Sequence, residues 1–438
     1  MRRRAPRRSV NVAQPIGPVQ TFAVDGLTHE AKGVARLQGK VTFIEGALPG
    51  ETVTAQVTKT GRRFDEAALT AIISPSPYRV EPACEHFSTC GGCSYQHLAD
   101  EKQLSSKADW LRGQLRHLIS TQTLECLSDK STGYRRRARI AIEVKKGQVM
   151  FGFRSKASSD IVSIDRCVVL TNSLQTTFRS LKQALSINDL ASALGHVELL
   201  EDTKGVSVLF RLTAAVSEER QHEWEEWAKQ EQVTLYWQAP KASKADVVAE
   251  KMRYYDLGRF RLRYHPQDFI QVNDIMNQKM LAQAMDWLDP TQQDVVLDLF
   301  CGVGNFSLPL AQQAQSVIGV EVQESMVEAA RENARINGLD NLSFVAADLT
   351  KPIENELFHH AITKVLLDPP RAGAFEFLDS IIKIAPRQIL YVSCNASTLA
   401  RDAEYLVAKG YQVLRVGLMD MFPQTSHVES MMLLQKKK

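Results

Sequence analysis

Cys394 is the residue of this 438-residue chain whose surroundings best suit a nucleophile. It lies in the tripeptide Ser393-Cys394-Asn395, after the apolar run 388–392 and before a helical pattern over residues 397–409. A thiolate is a strong nucleophile, and the amino terminus of a helix lowers the pKa of a nearby thiol. The sequence therefore predicts a reactive thiol at a strand end. The alternative is a buried and inert cysteine.

A glycine loop after another apolar run predicts a binding site for a nucleoside-like cofactor. Residues 297–306 (LDLFCGVGNF) contain Gly302 and Gly304, and Glu321 ends the next apolar run. Such a loop lets the backbone approach a ligand, and an acid about 20 residues on accepts hydrogen bonds from ribose hydroxyls. Ser307 stands where a dinucleotide-binding loop has its third glycine, so S-adenosylmethionine is favoured over NAD. The alternative is an ordinary strand–turn–helix connection.

The turn Asp368-Pro369-Pro370-Arg371 follows a further predicted strand, 364–367. Two prolines fix a rigid, extended turn at the carboxyl end of a strand, which is where ligands bind in open α/β sheets. Asp368 is therefore a candidate to contact a base edge or a cofactor, unless the segment is a simple turn.

Three cysteines in one short segment, Cys84, Cys90 and Cys93, predict a metal site. We expect no secretory signal, and an odd total of seven cysteines then favours catalysis or metal binding over a disulfide framework. A tetrahedral zinc site or an iron–sulfur cluster needs four thiolates, for which Cys126 and Cys167 are the remaining candidates. The spacing alone leaves zinc, iron–sulfur and three unligated cysteines open.

The elements that must position the candidate nucleophile and the glycine loop form an alternating pattern from about residue 294 onward. Apolar runs predict strands buried on both faces, and helical stretches separate them, most clearly residues 325–337. The alternation predicts a doubly wound, Rossmann-like α/β domain with a mainly parallel sheet. The predicted strands are 295–299, 316–322, 342–346, 364–367 and 388–392, followed by a hairpin-like ending at 412–418 and 428–435.

Two further modules are predicted before this domain. Five short strands predict a small OB-like barrel, a fold that often binds nucleic acid: 21–24, 33–37, 40–43, 52–58 and 67–73. Residues 74–77 (SPSP) predict a linker. An α+β region follows, with a helix at 99–119, strands at 139–144, 149–153 and 161–170, and an acidic helix at 218–231. Residues 171–265 carry no motif.

The net charge of +3 conceals an uneven distribution of basic residues. Residues 1–75 contain eleven Lys or Arg against six Asp or Glu, an excess of +5. Later arginine clusters fit either an extended polyanion or a solvated face. These clusters are Arg135, Arg136, Arg137 and Arg139, and Arg253, Arg259, Arg261 and Arg263, and the chain ends in Lys436, Lys437 and Lys438.

The composition excludes several classes of protein. An apolar fraction of 44% and a charged fraction of 24% exclude collagen, coiled coil and wholesale disorder. No apolar run reaches the ~18 residues that a membrane helix needs. We expect a soluble, cytoplasmic protein of about three domains.

Five motifs over about the last 170 residues resemble, in order, those of the RNA (uracil-C5) methyltransferases. They are FIQVN at 269–273, DLFCGVGNF at 298–306, DPPR at 368–371, SCN at 393–395 and HVE at 427–429. The resemblance implies that Cys394 is the nucleophile and Glu429 the general base. It also implies contacts to the methyl donor from Gln271, Phe300, Asn305, Glu321, Asp348 and Asp368.

The chemistry of the reaction requires two such groups. Carbon 5 of uracil is too weak a nucleophile to attack a sulfonium methyl group, but a thiolate that adds at carbon 6 converts the ring to a reactive enolate. After methyl transfer, a base must remove the carbon-5 proton so that the thiol can leave. We expect the target uridine to be turned out of its stack.

The resemblance extends over nearly the whole chain. It implies a [4Fe–4S] cluster on Cys84, Cys90, Cys93 and Cys167, with Cys126 as a spare thiol, and a TRAM domain over residues 15–74. The layout is similar to the branch that acts on 23S ribosomal RNA, with a central cluster-bearing domain at 75–265 and a methyltransferase domain at 266–438. We expect a monomer. The alternatives are a transfer-RNA methyltransferase and a non-catalytic RNA-binding assembly factor.

Overall fold

The computed structural model describes residues 16–119, 122–156, 158–351 and 361–437. The arginine-rich start, the first residue of the predicted TRAM range and Lys438 lie outside this part of the chain. The chain divides into two compact units. The first comprises Met1–Trp110, Phe153–Val162 and Gln424–Ser426, and the second Leu111–Gly152, Ser163–Pro423 and His427–Lys438. The division into three domains stays a prediction.

Five strands of the first unit close into a barrel in the order β1-β2-β3-β5-β4. Alternate side chains point inward, so that Phe22, Val24, Ile44 and Val53 form its core. The predicted OB-like barrel is therefore confirmed. Its strands are β1 (Val19–Leu27), β2 (Lys32–Leu37), β3 (Lys40–Glu45), β4 (Thr52–Thr60) and β5 (Phe64–Ser74).

The segment predicted as a linker after the barrel is anchored to it. The buried carboxylate of Glu51 accepts hydrogen bonds from the N–H groups of Leu48 and Ser76 and pairs with Arg79 at 2.6 Å. These bonds lower the pKa of Glu51 although burial opposes them. Residues 74–77 are thus fixed by a charge-assisted network rather than loose.

A mixed sheet follows, with the strand order β12-β11-β10-β7-β8-β9. The predicted strand 161–170 is wrong in length: β9 ends at Ser163, and the chain then turns, with the Leu170 N–H donating to the Cys167 carbonyl. The predicted helix 99–119 ends earlier, at Leu115. The elements are α1 (Asp100–Leu115), β6 (Leu124–Leu127), β7 (Arg137–Lys145), β8 (Gln148–Arg154), β9 (Ile161–Ser163), α2 (Asn172–Ser186), β10 (Leu194–Asp202), β11 (Gly205–Leu212), α3 (Glu218–Gln230), β12 (Thr234–Gln238), β13 (Arg253–Leu257) and β14 (Phe260–Tyr264).

The second unit contains an eight-stranded sheet in the order β17-β16-β15-β18-β19-β21-β20-β6. Its first five strands are parallel, β21 is antiparallel to β19, and β6 pairs in parallel with β20. The predicted Rossmann-like sheet is confirmed. Its elements are α4 (Asp274–Leu288), β15 (Val295–Leu299), α5 (Ser307–Gln313), β16 (Ser316–Glu321), α6 (Glu324–Ile336), β17 (Leu342–Ala346), β18 (Lys364–Leu367), α7 (Leu378–Ile384), β19 (Gln388–Ser393), α8 (Ala396–Ala408), β20 (Tyr411–Met419) and β21 (Glu429–Lys436).

Within the described residues, no helix combines the length and the apolar character needed to cross a membrane.

Candidate active site

The antiparallel pairing of β19 with β21 brings Cys394 and Glu429 to the same place. Ser393, the last residue of β19, pairs with Ser430, whose hydroxyl donates to the Ser393 carbonyl at 3.2 Å. Cys394 follows Ser393 and Glu429 precedes Ser430, so the same register sets them side by side. Asp368 follows Leu367 of the neighbouring strand β18, which pairs with Tyr391. Three predicted site residues therefore meet at one sheet edge.

The pKa of the Cys394 thiol is raised, not lowered as its place before a helix predicted. Burial is the main cause, and the carboxylates of Glu429 and Asp368 add to it, whereas the Arg371 guanidinium opposes them. The expectation was wrong because desolvation penalises a thiolate more than the helix terminus stabilises it. The thiol is therefore protonated at neutral pH in this structure.

The two carboxyl groups beside the thiol also hold their protons more tightly than usual. Burial, then the nearby Asp368, raises the pKa of Glu429 to about 8, with Arg371 acting in the opposite direction. Burial raises the pKa of Asp368 to about 7. Carboxyl groups that titrate near neutral pH can exchange protons with a substrate, as a general base or acid must.

Asn395 connects the two loops that carry the thiol and the guanidinium. Its side chain caps α8 by accepting a hydrogen bond from the Ser397 N–H at 3.1 Å, and its amide donates to the Arg371 carbonyl at 3.0 Å. The Arg371 guanidinium contacts Nδ1 of His427 at 3.2 Å. Arg371 and His427 lie in the quoted motifs, but sequence reasoning assigned them no role.

Asp402, a residue of α8, anchors the turn that follows Arg371. Its fully buried carboxylate accepts hydrogen bonds from the Ala374 N–H at 2.8 Å and the Tyr391 hydroxyl at 2.7 Å. Sequence reasoning missed Asp402, because an acid within a helical pattern is usually solvated and no local motif marks this one.

The glycine loop has the strained backbone that close approach to a ligand requires. Phe300 has φ +63° and Gly304 has φ +98°. The φ of Gly304 is one that residues with a side chain rarely adopt, and a Cβ there would lie 2.5 Å from Cδ1 of Leu308, which would have to move. The Glu321 carboxylate accepts hydrogen bonds from the N–H groups of Gly302 at 3.3 Å and Val322 at 2.9 Å. The acid predicted to bind ribose thus lies against the loop.

Two further polar groups support this loop. Asn305 and Asn277 of α4 exchange amide hydrogen bonds at 3.0 and 3.1 Å. Asp298 is fully buried, accepts a hydrogen bond from the Ser307 hydroxyl, and leaves Oδ1 without a partner among the described residues. Burial, opposed by that bond and assisted by Asp368, raises the pKa of Asp298 to about 7. Sequence reasoning noted Asp298 only as part of the loop motif.

Gln271 and Asp348, the other two predicted contacts to the methyl donor, form bonds to other protein groups. The Gln271 carbonyl accepts a hydrogen bond from Nε of Arg136 at 2.9 Å. Asp348 lies beyond β17, where its carboxylate bonds to the hydroxyl of Thr350 at 2.7 Å and pairs with Lys351 at 3.0 Å. These partners lower the pKa of Asp348 to about 2. The roles of all the predicted site residues stay predictions.

Cys84, Cys90 and Cys93 share one loop of the first unit, and Cys167 belongs to the second. No cysteine of the described chain forms a disulfide. The pKa of Cys90 is raised, mainly by burial and also by the neighbouring Cys84. A hydrogen bond from the Gly92 N–H and the charge of Lys156 oppose this rise. Thiols as donors fit an iron–sulfur cluster. However, among the residues described, no three His, Cys, Asp or Glu side chains are grouped as metal ligands.

Two family models match the chain. The model described as tRNA (Uracil-5-)-methyltransferase matches residues 99–437, and the TRAM domain model matches residues 14–70.

Full-length relatives carry a more specific name. Proteins of Marinomonas sp. (strain MWYL1) and Marinomonas posidonica, 76% and 67% identical over the whole of each chain, are both named 23S rRNA (uracil(1939)-C(5))-methyltransferase RlmD. A relative from Aeromonas hydrophila with the same name is 42% identical over 95% of this chain and 96% of its own.

A solved structure shares the fold. It is the Pyrococcus abyssi tRNA (uracil-54, C5)-methyltransferase in complex with S-adenosyl-L-homocysteine. It is 24% identical, with a TM-score of 0.75, and the match covers 95% of this chain and 100% of that one.

Proposed function

The chain belongs to the tRNA (uracil-5-)-methyltransferase family, and from that premise we propose that it methylates carbon 5 of uridine 1939 in 23S ribosomal RNA, with S-adenosylmethionine as methyl donor. The observation that carries this substrate is the 76% identity to a protein of that name over the full length of both chains. The closed TRAM barrel supports it, because such barrels often bind RNA.

Cys394 starts the reaction in this proposal. Its thiolate bonds to carbon 6 of the uracil, and the displaced electron pair moves through carbon 5 to the carbonyl oxygen at carbon 4. Arg371, whose charge opposes the rise in the pKa of this thiol, favours the thiolate. S-adenosylmethionine, when bound, would supply an electrophilic methyl group: as carbon 5 bonds to it, the bond between methyl and sulfur breaks and its electron pair stays on sulfur, so that S-adenosylhomocysteine leaves.

Glu429 completes the reaction. Its carboxylate takes the proton from carbon 5, the electron pair of that C–H bond re-forms the ring double bond, and the Cys394 sulfur leaves carbon 6. The pKa of about 8 makes Glu429 a stronger base than an ordinary carboxylate. The methyl donor is held by Gln271, Phe300, Asn305, Glu321, Asp348 and Asp368.

Methylation assays on defined RNAs test the proposed substrate. We expect the protein to incorporate methyl groups into deproteinised 23S ribosomal RNA at uridine 1939 and not into purified transfer RNA. Incorporation into transfer RNA instead would support the alternative substrate. Tight RNA binding with no methyl transfer to either would support a non-catalytic assembly factor and contradict the proposal.

We propose further that Cys84, Cys90, Cys93 and Cys167 hold a [4Fe–4S] cluster. The cluster would cross-link the four thiolates and could also respond to the redox state. The support is the donor chemistry: four thiolates complete such a cluster, and three of these come from one short loop. Iron and acid-labile sulfide in anaerobically purified protein test this proposal, and zinc without iron would refute it.

We also propose that the protein acts as a monomer in the cytoplasm. Light scattering on the purified chain and fractionation of cell extracts check these two points.

A further inference from the structure

Three of the residues that line a pocket in the second unit each carry a buried polar atom that lacks a partner within the described residues. The atoms are Nη2 of Arg136, Oγ1 of Thr171 and Oε2 of Glu201, and the pocket has a volume of about 470 Å³. Nearly all buried polar groups in folded proteins are hydrogen-bonded, because an unmade bond costs free energy. Three unmade bonds around one pocket therefore indicate a site that a ligand completes.

Backbone hydrogen bonds fix the three side chains on neighbouring segments. Arg136 precedes β7, and its carbonyl accepts a hydrogen bond from the Glu201 N–H at 2.8 Å. Thr171 precedes α2, and its N–H donates to the Arg135 carbonyl at 3.1 Å. The Thr171 hydroxyl makes no capping bond to α2, although threonine at this position usually does. The hydroxyl is therefore free of the local role that would otherwise explain it.

Arg136 is held rigidly, with one donor nitrogen unused. The residue is only 7% exposed, and its guanidinium carbon lies 5.0 Å from the centroid of the Tyr255 ring. Nε donates to the Gln271 carbonyl at 2.9 Å and Nη1 to Asp274 at 2.8 Å, whereas Nη2 has no partner within the described residues. A pre-positioned guanidinium of this kind binds an acceptor at low entropic cost.

The charges around the pocket disfavour a phosphate. Four carboxylates line it, those of Glu201, Asp202, Asp256 and Asp274, against the cations Arg136 and Lys130 and the Arg253 that pairs with Asp202, so that one negative charge is left in excess. Such an acidic lining repels an anion, whereas a neutral planar group that has a donor and an acceptor on one edge matches Glu201 and Arg136.

We propose that this pocket binds a second nucleobase of the RNA, distinct from the uracil that is methylated. The exocyclic amine of that base donates to Glu201, and a ring nitrogen or carbonyl of the same edge accepts from Nη2 of Arg136. Asn273, which also lines the pocket, caps α4, and α4 carries the Asn277 that pairs with Asn305 of the glycine loop. The second base would thus fix the RNA against the segment that follows Gln271. This inference rests on the proposed function.

Two isosteric variants and an abasic scan test the pocket. Thr171→Val and Glu201→Gln each change a polar atom that has no partner within the described residues, so their thermal stability is expected to match or exceed that of the wild type. We expect each to weaken binding of the 23S RNA fragment about tenfold while leaving the affinity for S-adenosylmethionine unchanged. Fluorescence anisotropy with the labelled fragment and calorimetry with the methyl donor measure the two affinities.

The abasic scan identifies the base. The affinities of the wild type and of Glu201→Gln are measured for a set of fragments, each lacking one base. At one position other than the target uridine, loss of the base is expected to weaken binding to the wild type and to have no further effect on the variant. Thr176→Val, on the exposed side of α2, and Glu219→Gln, on α3, are matched controls that should bind like the wild type.

The outcomes separate this inference from the proposed function. If the wild type methylates the fragment but both variants bind every fragment as it does, the pocket holds ordered water only and the inference is wrong. If the wild type methylates no RNA, the proposed function fails, whereas the anisotropy measurement still decides whether the pocket binds a base.

Discussion

At the scale of single residues, burial favours the protonated form of Cys394, the candidate nucleophile, and of Glu429, the candidate base. The pKa values of Cys394 and Glu429 are both raised, mainly by burial, and each carboxylate near the thiol raises the cost of a thiolate. Arg371 is the cation that opposes both shifts. A thiol in this state resists oxidation, because the thiolate is the reactive form.

Replacing Cys394 tests its role directly. Cys394→Ala is expected to lower methyl transfer by at least about 10³-fold, because no covalent adduct activates carbon 5. With RNA that carries 5-fluorouridine, the wild type should form a denaturation-resistant complex, since fluorine cannot leave as a proton does. Cys126→Ala, at an exposed cysteine, is the control and should retain both properties. A complex formed by Cys394→Ala would show that another nucleophile acts.

Glu429 should set the pH dependence of the last step. Its pKa is raised from 4.5 to about 8, so the carboxyl group is protonated below that pH and acts as a base above it. The rate of release of methylated RNA, measured in single-turnover experiments, should therefore rise with pH and level off above about pH 8.

Removing the carboxylate should block the same step. Glu429→Gln is expected to accumulate the methylated covalent complex and to lower turnover by about 10²- to 10⁴-fold, whereas Glu404→Gln, at an exposed position of α8, should not. A release rate that stays constant between about pH 6 and pH 9 would contradict the assignment.

At the scale of elements, the carboxyl ends of parallel strands gather the candidate site. Phe300, Asp368 and Cys394 each follow a strand directly, and the pairing of β15 with β18 and of β18 with β19 aligns those strand ends. This arrangement is the reason that ligands bind at this edge of open α/β sheets. The antiparallel β21 then brings Glu429 back to the same edge.

The glycine loop offers a test at this scale. Gly304→Ala should weaken binding of S-adenosylmethionine by about tenfold or more, because a backbone φ of +98° strains alanine and the added Cβ would lie 2.5 Å from Cδ1 of Leu308, so the loop or the Leu308 side chain must shift. Gly338→Ala is a matched control, since Gly338 also has a positive φ but has no neighbour within 4 Å. Equal methyl-donor affinities for the two variants, measured by calorimetry, would show that the loop tolerates the change.

The arginine clusters show where sequence patterns misled. Arg253 was a candidate for contact with a polyanion, but it is 1% exposed and forms a buried ion pair with Asp202. Arg137 similarly pairs with Glu198 at 2.9 Å. Charge runs in a sequence do not reveal these partners, because the partners lie 51 and 61 positions away along the chain.

At the scale of the whole molecule, the excess of basic residues lies near the amino terminus. The +5 of residues 1–75 equals the five arginines at positions 2–8, outside the described residues, whereas the six cations of residues 16–75 are balanced by six acids. Of these six cations, Arg62 and Arg63 are exposed in the connection between β4 and β5. Cations on such a barrel suit the phosphate backbone of RNA.

The barrel arginines should therefore contribute to RNA affinity without affecting catalysis. Arg62→Gln combined with Arg63→Gln should weaken RNA binding several-fold and reduce the slope of log Kd against log salt by about 1 to 2, with kcat unchanged. The control is Arg331→Gln with Arg335→Gln, two exposed arginines of α6. An unchanged salt slope in anisotropy titrations of the barrel variant would exclude these residues from the RNA interface.

The sequence by itself determined the barrel, the Rossmann-like sheet and the motif residues, because hydrophobic periodicity, turn residues and strand-end motifs are local patterns. Only the tertiary structure decided what surrounds those residues. The raised pKa of Cys394, the anchoring by Asp402 and the unpartnered atoms of Arg136, Thr171 and Glu201 depend on burial and on contacts between distant segments. No local pattern encodes such contacts, since they arise when strands pair and side chains lose water together.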